Sequence, residues 1–113
     1  MQNNLKALTP AEFEYINNKY TFELSDSDII VSTKGFNRKT IHSINDGFSI
    51  NTPIRKVKFS KRAIDLWKDI FKDTYTLVEV QNALSILLIT KQDDSVNSIE
   101  KQLKRKDAQI KII

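Results

Sequence analysis

The chain contains no cysteine and only two glycines, two prolines and one histidine among its 113 residues. Without cysteine there is no disulfide, thiolate nucleophile or thiolate-bound metal, and one histidine cannot build a multi-histidine metal site. Two glycines are also too few for a glycine-rich loop that cradles phosphate groups. These absences argue against an enzyme, and they predict no catalytic residues, no metal and no cofactor.

Long hydrophobic runs are missing as well. The longest one, Ala83 to Ile89, is about a third of the length that a membrane-spanning helix needs. The first residues, Met1 to Lys6, are polar and do not resemble a secretion signal. With 40% hydrophobic and 28% charged residues, the composition is that of a globular protein. We therefore expect one soluble, cytoplasmic domain with no membrane partner.

Positive charge is concentrated in one stretch of the chain. Residues 34–62 contain eight basic side chains and one acidic side chain, whereas the whole chain has a formal net charge of only +4. The basic residues are Lys34, Arg38, Lys39, Arg55, Lys56, Lys58, Lys61 and Arg62. Clustered lysine and arginine create a potential that attracts polyanions. The stretch indicates nucleic acid as the first partner to consider.

The N-terminal part begins with a well-marked helix. Thr9, Pro10 and Glu12 occupy the positions of an N-cap, a first-turn proline and the reciprocal partner of a capping box. The residues from Tyr20 to Leu24 can then form a short strand.

The segment from Leu24 to Phe48 has two interpretations. In the first, Tyr20–Leu24 pairs with Ile29–Ser32 as a β-hairpin around the polar residues 25–28, because isoleucine and valine favour strands. In the second, Ser25 caps a helix that ends at Gly35, and a further helix begins after Asn37 and ends at Gly47. The second interpretation gives two short helices joined by a tight turn.

In the second interpretation, residues 9–59 resemble the winged helix-turn-helix superfamily of DNA-binding proteins. Val31 lies four residues before Gly35, and Ile41 and Ile44 lie six and nine residues after it, which is the buried spacing of that family. The strands expected at 47–50 and 54–59 stand where the family carries its wing. The resemblance implies a mostly α fold with a small β-hairpin wing, of class α+β.

The resemblance also implies a DNA site. A recognition helix at 37–46 would lie in the major groove, and a wing at 48–59 would contact the DNA backbone. Strand alternation places Lys56 and Lys58 on the solvent-facing side of the wing. The candidate DNA-binding residues are Lys34, Asn37, Arg38, Lys39, Thr40, His42, Asn45, Arg55, Lys56 and Lys58.

The second half, residues 60–113, is predicted to be helical and to serve packing and dimerisation, in one compact domain with residues 1–59. Ser60 caps a helix that extends to Asp73 and carries Trp67 on its apolar face, and Thr76 with Glu79 marks a second capping box. The helix at 77–89 is apolar on nearly every side, which indicates that other protein surrounds it.

Apolar residues fall at heptad positions up to the end of the chain, with one break at Lys106. These apolar residues are Val96, Ile99, Leu103, Ile110 and Ile113. Together with the apolar helix at 77–89, this spacing predicts a homodimer through residues 60–113.

Two functions follow from these features. The first is a sequence-specific protein that binds double-stranded DNA, either a transcriptional regulator or a plasmid or phage accessory factor for replication, transfer or packaging. The alternative is a small phage-type inhibitor that uses its basic surface to bind a partner protein or to block a nucleic-acid site. No small-molecule ligand is inferred from the sequence.

Overall fold

A computed structural model describes residues 7–25, 28–34, 40–43 and 46–105; for residues 25, 28 and 40–43 it describes the backbone alone. The elements are α1 (Pro10–Lys19), β1 (Tyr20–Ser25), β2 (Asp28–Thr33), β3 (Thr40–Ser43), β4 (Gly47–Asn51), β5 (Lys56–Ser60), α2 (Lys61–Leu66), a π-helical segment (Trp67–Phe71), α3 (Leu77–Ile89) and α4 (Val96–Lys104). Strands β1, β2 and β3 form one antiparallel sheet, and β4 and β5 form another. No helix in the described ranges is both long and apolar enough to cross a membrane.

The helices begin at the capping residues that the sequence predicts. At α1, Thr9 Oγ1 accepts a hydrogen bond from Glu12 N at 3.1 Å, and Glu12 Oε1 accepts one from Thr9 N at 3.0 Å. Thr76 and Glu79 repeat this arrangement at α3. Ser60 Oγ accepts from the backbone N–H of Ala63 at the start of α2. Each cap satisfies N–H groups that a helix leaves unpaired, and these predictions are confirmed.

The β-hairpin interpretation is confirmed for β1 and β2, so the predicted first helix of a helix-turn-helix is wrong. The two strands pair antiparallel, with Leu24 opposite Ile29. Ile29 and Val31 are buried while Ile30 is half-exposed, which is the alternation of a strand. Side chains branched at Cβ fit this pleated surface better than they fit a two-turn helix.

The predicted recognition helix at 37–46 is also wrong over the residues that the structure describes. Thr40–Ser43 forms strand β3, which pairs with β2 through Thr40 opposite Ser32 and Ser43 opposite Ile30, with a bulge between them. Pairing satisfies the hydrogen-bonding groups that β2 would otherwise expose along its free edge. The α+β class is confirmed, but the described residues do not form a winged helix-turn-helix.

The β4–β5 hairpin forms where the wing strands are predicted, and its inner face joins the core. Phe48 lies opposite Phe59 and Ile50 opposite Val57. The rings of Phe48 and Phe59 stack with centroids 4.7 Å apart, and Phe22 of β1 lies 5.8 Å from Phe59. These three aromatic rings connect the two sheets.

Helices α2 to α4 complete the core within one chain. Helix α3 packs against α1, α2, α4 and the π-helical segment, so the protein itself covers most of this apolar helix. Ile99 and Leu103 of α4 are fully buried in the same core, so these two heptad positions serve packing inside the molecule, whereas Val96 is 38% exposed. Ile110 and Ile113 lie outside the described residues. The homodimer stays a prediction.

Gly47 is required at the start of β4. Its φ is +113°, and a Cβ atom there would lie 2.8 Å from the carbonyl oxygen of Phe59. We expect Gly47→Ala to lower the free energy of unfolding by about 1–3 kcal/mol from backbone strain, with a further loss from displacing β5. Urea denaturation would measure the loss. Ser49→Ala, at an exposed site in the same strand, is the control and should change it by less than about 0.5 kcal/mol; equal midpoints for the two variants would contradict the argument.

Candidate nucleic-acid interface

Six of the ten predicted DNA-binding residues lie in the part of the chain that the structure describes, and none of these six is on a helix. Asn37, Arg38, Lys39 and Asn45 lie outside the described residues. Thr40 and His42 belong to strand β3, and their side chains lie outside the described part of the chain. The structure describes the side chains of four candidates, and these side chains occupy three different environments. The four candidates are Lys34, Arg55, Lys56 and Lys58.

Lys56 and Lys58 lie on the outer face of the β4–β5 hairpin. Both lysines are exposed, whereas Val57, which lies between them, and Phe59, which follows Lys58, are buried. The predicted alternation is therefore confirmed. Ser49 is paired with Lys58 and Asn51 with Lys56, and both of these partners are exposed too. Neither lysine side chain makes an ion pair or hydrogen bond to another described residue. This outer face therefore carries two positive charges among neutral polar groups.

The turn that joins β4 to β5 is held by Thr52. Its backbone N–H donates to the carbonyl oxygen of Arg55 at 2.9 Å, and its hydroxyl donates to the same oxygen at 2.7 Å. Thr52 Oγ1 also accepts from the N–H groups of Ile54 and Arg55. Pro53 further restricts the backbone. These hydrogen bonds fix the shape of the tip, which leaves the Ile54 side chain 57% exposed.

Arg55 faces the interior and not the outer surface of the hairpin. Its Nε lies 2.9 Å from Glu12 Oε2, and its Nη2 donates to Glu12 Oε1 and to the carbonyl oxygen of Ala7, both at 3.1 Å. Glu12 is fully buried. A buried carboxylate needs a partner of opposite charge, so Arg55 has a role in stability. While it is paired with Glu12, Arg55 cannot also contact a phosphate. Strand alternation predicts that Arg55 points inward, but not its partner.

The charges that follow β5 are tied to acidic neighbours. Lys61 Nζ lies 2.8 Å from Asp65 Oδ2, and this hydrogen bond and charge raise the pKa of Lys61 above its usual value. Arg62 Nε lies 3.7 Å from Asp94 Oδ2, and its Nη2 donates to the Asp94 carbonyl oxygen at 3.1 Å. Two of the eight basic residues in the stretch 34–62, Lys61 and Arg62, are therefore paired with nearby acidic side chains.

Lys34 follows β2 in the chain and lies against the C-terminal end of α1. Its backbone N–H donates to the carbonyl oxygen of Lys19 at 2.7 Å, and its Nζ donates to that of Asn17 at 3.0 Å. The structure places it on the rim of a cleft lined with aromatic side chains, which the sequence did not reveal. The cleft combines residues from distant parts of the chain, so no local pattern could have indicated it.

No protein-family model, curated protein or solved structure significantly matches this chain. The functional argument consequently depends on the residues and their geometry. Within the described residues, no group of three or more histidine or acidic side chains is placed to hold a metal ion.

Proposed function

We propose that this protein binds double-stranded DNA through the outer face of the β4–β5 hairpin. The observation that carries the proposal is the pair of exposed lysines, Lys56 and Lys58, with no acidic partner among the described residues. They lie two residues apart on one strand, and so about 7 Å apart. Each ammonium group can therefore approach a different phosphate.

The hairpin has the shape and the chemistry for such contacts. A two-stranded β-ribbon is narrow enough to enter the major groove or to lie along the backbone. Ser49 and Asn51 on the same face offer neutral hydrogen-bonding groups, and an asparagine amide can pair with an adenine edge. Lysine contacts would position the protein, and Asn51 would contribute sequence preference. Such an interface suits a transcriptional regulator and equally a plasmid or phage accessory factor.

The test compares two double variants that lose the same charge. Lys56→Gln/Lys58→Gln removes the hairpin lysines, and Lys91→Gln/Lys101→Gln removes two exposed lysines outside the hairpin. Duplexes selected from a random pool would be titrated at several salt concentrations by fluorescence anisotropy. The magnitude of the slope of log K against log salt should fall by about 1.8 for the hairpin variant, which corresponds to roughly 60-fold weaker binding at 0.1 M salt.

The control variant should keep nearly the wild-type slope and affinity. Both variants should melt at the wild-type temperature, since all four lysines are exposed. Equal losses in the two variants would show that net charge, and not the hairpin, attracts DNA. Failure of the wild-type protein to bind any duplex, selected or random, would refute DNA binding and favour an acidic protein partner for the basic surface.

A further inference from the structure

The cleft beside Lys34 has the composition of a ligand site. It lies where the end of α1, strand β1, the π-helical segment and the start of α3 meet, and its volume is about 400 Å³. Sites for small molecules commonly fall between about 300 and 1,000 Å³. The side chains that define the cleft are four aromatic rings and two lysines: Tyr20, Phe22, Trp67, Tyr75, Lys34 and Lys72.

The aromatic walls are fixed by contacts within the fold. Trp67 is 6% exposed, and its indole Nε1 donates to the carbonyl oxygen of Tyr75 at 3.0 Å. The Tyr75 ring meets Phe71 edge-on at 5.9 Å, and Phe22 is held against Phe59. A ring that enters the cleft would therefore meet aromatic surfaces already in position, with little ordering cost.

The charge of the cleft favours an anion. No acidic side chain is among the described residues that line it. Lys34 Nζ uses one of its three N–H donors on Asn17 O, and no other described residue accepts a hydrogen bond from it, so two donors are available to a ligand. Lys72 Nζ lies 3.4 Å from Asp73, whose side chain is 88% exposed, so that ion pair is weak.

The backbone of one wall is unusual. Trp67–Phe71 is π-helical, although the preceding residues of α2 form an ordinary α-helix. Such segments are rare and are often found at functional sites, because the wider turn shifts the side chains that follow. Here the π-helical segment begins at Trp67, the most enclosed of the cleft's aromatic residues.

We propose that this cleft binds a nucleotide. The base stacks against the aromatic walls, and the phosphate lies between the ammonium groups of Lys34 and Lys72. Every base offers a π-face for stacking, and a phosphate accepts charge-assisted hydrogen bonds from lysine. The ligand is either a free mononucleotide or a nucleotide exposed in a single strand. The cleft is a different site from the outer face of the hairpin, and its function does not depend on duplex binding.

Trp67 provides the measurement, because it is the only tryptophan in the chain. The full-length protein would be titrated with adenosine monophosphate, with adenosine and with an oligothymidylate of eight nucleotides. Tryptophan emission and heat of binding would be recorded for each ligand. We expect saturable changes with a phosphate-bearing ligand. Adenosine should bind at least about tenfold more weakly than its monophosphate if the lysines hold the phosphate.

Lys34→Gln/Lys72→Gln should weaken nucleotide binding at least about tenfold. Lys91→Gln/Lys101→Gln, with the same loss of charge, should bind like wild type. Saturation by the mononucleotide would identify a free ligand, and saturation by the oligonucleotide alone would identify a single strand. Absence of both heat and emission change for all ligands would overturn the proposal, as would equal affinity of the Lys34/Lys72 variant and wild type.

The two proposals can be distinguished by testing each double variant in the binding assay of the other site. Lys56→Gln/Lys58→Gln should leave the nucleotide response of Trp67 unchanged, and Lys34→Gln/Lys72→Gln should leave the salt slope for duplex DNA largely unchanged. A loss of nucleotide binding in the hairpin variant would contradict a separate site.

Discussion

Arg55→Ala is expected to lower the free energy of unfolding by about 3–5 kcal/mol, because it leaves a buried carboxylate without its counter-ion. Glu12 is fully buried, and the Arg55 side chain is only 24% exposed, so water cannot replace the lost partner well. The arginine also donates to the carbonyl oxygen of Ala7 and thereby ties the hairpin to the start of α1. Urea denaturation of the variant and of wild type would measure the loss.

A double-mutant cycle measures the interaction energy between Glu12 and Arg55. Glu12→Gln removes the negative charge and keeps an oxygen that can accept the hydrogen bond from Thr9 N. Glu12→Gln should therefore stabilise the Arg55→Ala protein although it destabilises wild type, with a coupling of 1 kcal/mol or more, on the order of other contacting pairs. Additive losses would show that the ion pair has little energetic importance.

The same variant tests the assignment of Arg55 to the interior. At a temperature where Arg55→Ala is fully folded, its salt slope for duplex DNA should equal that of wild type. This contrasts with the decrease of about 1.8 expected for Lys56→Gln/Lys58→Gln. A lower slope for Arg55→Ala would return this residue to the DNA contacts that the sequence suggests.

Phe59→Ala should also destabilise the protein by about 3–5 kcal/mol. Phe59 is fully buried, its ring stacks on Phe48 at 4.7 Å, and Phe22 lies 5.8 Å away. Removing the ring creates a cavity where the two sheets meet, and the backbone of paired strands cannot easily collapse into it. Thermal and urea unfolding would measure the effect.

The matched control is in the same hairpin. Ile54→Ala also removes apolar volume, but Ile54 is 57% exposed at the tip, so the change should stay within about 0.5 kcal/mol. Phe59→Leu, which retains much of the volume, should cost less than Phe59→Ala. Similar midpoints for Phe59→Ala and Ile54→Ala would mean that the aromatic contacts do not connect the sheets.

The features that the sequence predicted correctly depend on neighbours along the chain. The capping boxes at Thr9 and Thr76 involve residues three apart, and α3 occupies the predicted residues 77–89. Lys56 and Lys58 face solvent because alternation along a strand is a local property. For each of these features, all the interacting residues lie within a few positions of one another in the sequence.

The helix-turn-helix interpretation failed for a physical reason. Ile29, Ile30 and Val31 are consecutive, so they satisfy a helical face and a strand face equally well. The choice between them came from pairing: β2 has β1 on one side and β3 on the other. A short apolar run takes the conformation in which its backbone finds partners, and those partners are not visible in its own sequence.

Considered by itself, the sequence determined where helices α1, α2 and α3 begin, the alternation of the hairpin and the absence of cysteine chemistry. Tertiary structure alone decided that residues 28–33 form a strand, that Arg55 pairs with Glu12 across 43 positions, and that aromatic residues between Tyr20 and Tyr75 enclose a cleft. The reason is the range of the forces involved. Capping and alternation act over one to four residues, whereas strand pairing, burial of a charge and formation of a cavity depend on which distant segments the folded chain brings together.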